Sequence, residues 1–137
     1  MTPSYLVAAS AAIIAALGVI HLLYTFTGTK LNPRDPALHA AMRTVSPVLT
    51  RETTMWNAWV GFNASHSMGA LMFGFIYGYL ALFHGPLLFG SPFLQGLGLT
   101  MLVGLAILGR LYWFSVPFRC ICLALMLYLA AVAVAAF

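Results

Sequence analysis

The chain has 137 residues, of which 63% are hydrophobic and 6% charged, and its mean hydropathy is +0.99. Soluble domains carry about a quarter charged residues, so this composition excludes one and marks an integral membrane protein. The net charge of +4 rests on six basic residues confined to two loops, which do not make a surface that tracks nucleic-acid phosphates.

Four spans of about 20 residues with their connections use almost the whole length. The expected fold is all-α: a single four-transmembrane-helix bundle over residues 1–137, with spans at 5–27, 53–83, 92–111 and 117–137 and one short interfacial helix in the first loop. No basic residue precedes the first apolar stretch, which also outruns a signal-peptide core, so it reads as a retained span. Pro3 and Ser4 suit its start. Gly18, His21, Thr25 and Gly28 then recur at steps of three or four on one face. Small residues let helices approach closely in lipid, which would bring His21 into that contact.

In the loop of residues 29–50, Asp35 and Pro36 form a cap and first-turn pair, so Pro36 to Arg43 reads as the interfacial helix, with Leu38, Ala41 and Met42 toward lipid or protein. Ser46-Pro47 breaks it, and Thr50 is the expected cap of the second span.

The second span opens within RETTMWNAWVGFNASHSMG, Arg51 to Gly69. Read as a helix, Glu52, Trp56, Trp59, Asn63 and His66 share one face, continued by Ala70, Phe73 and Tyr77. Asn63 and His66 are costly in lipid unless they face the bundle interior or water, which makes them a functional signal. Trp56 and Trp59 mark the interface crossing. The span is longer than the hydrocarbon core demands, so it tilts or projects. Gly61, Ser65 and Gly69, then Gly74 and Gly78, form small-residue ridges for helix contact or homodimerisation.

His84-Gly85-Pro86 ends this span in a turn without Lys, Arg, Asp or Glu. The third span carries a ridge of Gly96, Thr100 and Gly104 and closes on Arg110, Tyr112 and Trp113, an interface signature. Pro117 suits the first turn of the fourth, with Arg119 close behind. Cys120 and Cys122, spaced C-x-C on a helix, point to different faces and read as small apolar residues. Lys30, Arg34, Arg43, Arg51, Arg110 and Arg119 all lie at the connections between spans one and two or three and four. The positive-inside rule makes those connections cytoplasmic and puts both termini on the outer, periplasmic side of a bacterial inner membrane.

At 1.5 Å per residue, His21 lies about 10 Å and His66 about 15 Å below that surface. The expected site is a polar pocket of the cytoplasmic leaflet built from His21, Asn63 and His66, with Trp59, Arg51, Arg110 and Tyr112 as further ligand contacts and Glu52 at the rim. His39 and His84 are loop residues with no evident partner.

Three classes of function fit these residues. The first is a binder of a lipid-like or quinone-like ligand, or an accessory subunit of a membrane complex, with membrane lipid around it. The second is an enzyme with His21, His66 or Glu52 as catalytic groups, an imidazole serving as general acid or base on a lipidic substrate. The third is a haem b electron-transfer protein ligated by His21 and His66. No dedicated metal motif is visible.

The combination of VIHLLY in span one, W-x-x-W-x-G-F-N-x-S-H-S in span two and Y-W-F-x-x-P before span four resembles a loose group of small, uncharacterised bacterial four-span membrane proteins. That resemblance implies the four-helix membrane fold and no activity.

Overall fold

The computed structural model describes residues 2–136. They form α1 (Thr2–Phe26), α2 (Pro36–Thr44), α3 (Met55–Phe83), α4 (Gly85–Gly90), α5 (Pro92–Tyr112) and α6 (Ser115–Ala135), with no strand among the described residues. Helices α1, α3, α5 and α6 are long and apolar enough to cross a membrane, so the protein is an all-helical membrane protein.

Local chemistry sets most helix starts. The Asp35 carboxylate accepts from the Ala37 N–H (2.8 Å) and Pro36 opens α2, as expected from the pair. Ser91 accepts from the Leu94 N–H (3.3 Å) ahead of Pro92 in α5. For α3 the cap is Thr54, whose hydroxyl accepts from the Asn57 N–H (3.2 Å), and not Thr50. Thr50 instead accepts from the Glu52 N–H (3.2 Å) in an exposed turn. Glu52 therefore lies outside α3 and does not continue the face of Trp56, Trp59, Asn63 and His66. The hairpin after α3 also differs from expectation, because Pro86 starts a short helix, α4, where a plain turn was read.

The chain divides into two compact units, one running up to Leu17 and resuming from Ala70, the other Gly18–Gly69. The first is a closed ring of four helices. Segments of α1 and α3 meet where Gly74 lies against Ala11 and Ala15; a Cβ on Gly74 would come within 2.5 Å of the Ala15 Cβ and 2.9 Å of the Ala11 carbonyl oxygen. The contact from α3 to α5 runs through Tyr77, whose hydroxyl donates to the Leu94 carbonyl (2.7 Å). In the same way Tyr128 of α6 donates to the Gln95 carbonyl of α5 (3.0 Å). Ser10 closes the ring by donating to the Ala124 carbonyl on α6 (2.7 Å). Val7, Ile14, Phe73, Leu102, Ile121 and Leu88 of α4 fill the centre.

Gly98 is the second enforced glycine, since a Cβ there would run into the rings of Tyr77 and Tyr128. The ridge expected on α5 lies elsewhere: a Cβ at Gly96 or Gly104 meets nothing within 4 Å, while the buried line is Gly98, Leu102, Leu105 and Gly109. Gly96 and Gly98 are two positions apart, about 200° around the helix, so the regular four-residue spacing marked the opposite face. Gly61 and Gly69 likewise face open space. Phe75, Phe83, Phe93 and Met126 are exposed, as befits a surface solvated by acyl chains.

These contacts predict that Gly74→Ala costs about 1–3 kcal/mol of stability by overpacking the α1–α3 crossing. Gly61→Ala, with open space at its Cβ, should instead be neutral or stabilising by up to about 1 kcal/mol. Unfolding of the two variants in mixed micelles reads the difference directly.

Candidate functional site

The second unit, Gly18–Gly69, contains the end of α1, the loop with α2, and the first half of α3. Helix α1 stops where Thr25 donates to the His21 carbonyl (2.8 Å) and Thr27 to that of Leu23 (2.6 Å). Gly28 follows with φ +78°, a left-handed turn that glycine takes without penalty, so Gly28 is past the helix and off the face it was expected to share. The loop is then pinned to α3 at several points. The His39 ring meets Trp56 edge-on (centroids 4.6 Å apart, 62°), and the Arg43 guanidinium carbon stands 5.8 Å over the same indole. Backbone of Met55 donates to Val45 (2.8 Å), and the Trp59 indole N–H to the Leu31 carbonyl (3.2 Å). A hollow of about 300 Å³ remains between Leu31, Asn32, Pro33, Met42 and Trp59.

Inside this frame the polar residues of α1 and α3 come together. Asn63 is 6% exposed. Its amide nitrogen donates to the Trp59 carbonyl one turn back (2.8 Å), while its Oδ1 lies 3.0 Å from His21 Nε2. A carbonyl only accepts, so the amide NH₂ must face Trp59 and the amide oxygen must face the imidazole. The tautomer follows: Nε2 of His21 carries the hydrogen, and Nδ1 of a neutral ring carries the lone pair. His66 stands edge-on to His21 with centroids 5.5 Å apart and planes at 88°. Phe62 lies parallel to the His66 ring within 8° at 6.5 Å. Below, Ser67 is buried and donates to the Asn63 carbonyl (2.9 Å).

Of the residues expected at the site, His21, Asn63 and His66 are thus brought into one cluster, with Trp59 supplying its carbonyl to Asn63 and its indole to the loop. The two histidine rings meet edge-on, with centroids 5.5 Å apart. Arg51 and Glu52 sit in the exposed turn before α3. Arg110 and Tyr112 are exposed at the end of α5, in the other unit. Sequence reading passed over the His39–Trp56–Arg43 stack, although His39 and Arg43, four apart on α2, share a face that signals a common partner. The loop from Pro33 to Pro47 is expected to close the pocket, and Pro33 does border the hollow, together with Leu31, to which the sequence gives no role.

With Nε2 turned to Asn63, Nδ1 is the one nitrogen of a neutral His21 that could ligate an iron. Among the described residues, no group of three or more His, Cys, Asp or Glu side chains is placed to hold a metal ion. What the cluster offers is an acceptor nitrogen on a neutral His21 whose ring is oriented by a buried amide, beside a second imidazole and a parallel aromatic ring.

Fold and cluster together define a small helical membrane protein with paired imidazoles in one of its two units. No protein-family model matches the chain, and no curated protein or solved structure matches it.

The tautomer assignment is testable. Nitrogen-15 NMR of histidine-labelled protein in micelles should show neutral His21 protonated at Nε2, with Asn63→Ala shifting the ring toward a tautomer mixture while costing only about 0.6 kcal/mol of stability, the average for such bonds between membrane helices.

Proposed function

We propose that this protein binds the polar head of a lipid-like or quinone-like molecule at the His21–Asn63–His66 cluster, acting as a ligand-binding or accessory subunit in a membrane complex. The observation that carries the reading is the bridge from the Trp59 carbonyl through Asn63 to His21, because it fixes one imidazole in a single orientation at the cost of burying an amide in a span. Bonds of this kind contribute little to stability in membranes, so a preoriented imidazole is better explained by recognition than by packing. A quinone-like head carries carbonyl oxygens that accept hydrogen bonds, and its reduced form carries hydroxyls that donate to an imidazole lone pair. The flat ring of Phe62 beside His66 supplies the apolar wall that an aromatic head prefers.

The site is assigned to the cytoplasmic leaflet of a bacterial-type inner membrane, with the termini outside. Support comes from the six basic residues, all at the α1–α3 and α5–α6 connections, and from the absence of any Lys or Arg between α3 and α5. A catalytic reading would use the same two imidazoles as general acid and base, but it draws no support from Glu52, which stands in the turn outside α3.

Mass spectrometry of the organic extract from mildly solubilised protein should find a stoichiometric amphiphile with an oxygen-bearing head. A ubiquinone analogue with a ten-carbon tail should quench tryptophan fluorescence saturably, and His21→Ala and His66→Ala should each weaken it about tenfold, or ~1.4 kcal/mol, with helicity and melting retained. A loss of quenching that only tracks a loss of melting temperature would reduce the cluster to a packing device.

A further inference from the structure

A second amphiphile site is carried by the other unit, independently of the imidazole cluster. Along α5, Ala106 and Ile107 each stand three or four residues from both Val103 and Arg110, so the four form one stripe. With Leu111 and with Leu125 of α6 they line an open groove of about 320 Å³ on the bundle surface. From Val103 to Arg110 the stripe is about 10 Å long, roughly a third of the hydrocarbon thickness. Every lining side chain is apolar except Arg110, which stands at the end of the groove in the last turn of the helix.

Charge makes this groove specific. The chain has two acidic residues, Asp35 and Glu52, and both belong to the unit Gly18–Gly69. The unit that contains Arg110 and Arg119 therefore holds no carboxylate side chain to pair with either guanidinium. Asp35 is in any case engaged as the cap of α2. A helix C-terminus favours a cation at Arg110 through its dipole, but it does not use the planar fork of donors that a guanidinium offers to phosphate oxygens. An apolar channel that ends on a guanidinium without an ion pair among the described residues, at an interface-marking Tyr112 and Trp113, has the two halves of a phospholipid written into it.

We infer that the α5–α6 groove binds an anionic phospholipid of the surrounding bilayer, with an acyl chain along Val103, Ala106 and Ile107 and the phosphate on Arg110. The lipid supplies the counterion that no carboxylate side chain of this unit provides and fills a furrow that would otherwise leave dispersion contacts unmade.

The test uses the full chain in neutral detergent, titrated with dioleoylphosphatidylglycerol and, separately, dioleoylphosphatidylcholine, with bound lipid counted by native mass spectrometry. Wild type should prefer the anionic lipid about fivefold, the contribution of one basic residue near an anionic surface. Arg110→Gln should erase the preference and Arg110→Lys should keep it in part, while Arg34→Gln, in the other unit, should leave it intact. Val103→Phe, at a partly exposed position, should fill the groove and remove one bound lipid with helicity unchanged. The inference is overturned if Arg110→Gln retains the preference, if Arg34→Gln lowers it equally and so reveals a generic charge effect, or if Val103→Phe dissociates a dimer and leaves lipid binding untouched.

Discussion

The hydrocarbon core of a membrane contains no water to satisfy a polar group, so each one on a span must find its partner in protein. Six hydroxyls on the spans obey this in the simplest way, by donating to a backbone carbonyl. Thr25, Ser65 and Ser67 turn back onto their own helices, and Ser10, Tyr77 and Tyr128 reach across to a neighbour. The three that reach across also tie the ring of the first unit together. Against this background the His21–Asn63 bond is of a different kind, because it joins two side chains on two helices and orders a titratable ring.

Close packing serves the same economy. Where helices have no hydrophobic drive to associate, intimate contact takes its place, and the glycines that permit it can be identified by what a methyl group would strike. Gly74 lets α3 rest on the backbone of α1, and Gly98 makes a berth for two tyrosine rings whose hydroxyls cap the region by bonding successive carbonyls of α5. The rest of the helical surface is left to lipid, which explains why aromatic and long aliphatic side chains dominate the exposed positions.

Hydropathy and helical periodicity suffice for the four spans and the α2 cap, because each depends on residues near in sequence, whereas the meeting of His21 with Asn63 and His66 joins two helices and stays open in the sequence. Three features escaped for physical reasons. Thr50 and Thr54 are both credible caps, and only the path of the loop, held by the Met55 to Val45 backbone bond, selects the second and leaves Glu52 outside the helix. Regular spacing identified small-residue ridges without saying which side of α5 meets a neighbour, since a glycine pattern has no polarity of its own. The docking of α2 through Trp56 and of the loop through Trp59 depends on indoles that composition alone would set in the interface as anchors.

Asn63 has to present a donor to one helix and an acceptor to the other from a stem one methylene long. Aspartate would set an oxygen against the Trp59 carbonyl, a hydroxyl has a single atom for two directions, and glutamine carries the amide a bond too far. Asn63 avoids all three faults. Beside it, partly exposed Ala64 answers to lipid and could exchange with other small apolar residues. The information content of this stretch is therefore concentrated in a single letter, and drift in its neighbours would leave the message at position 63 intact.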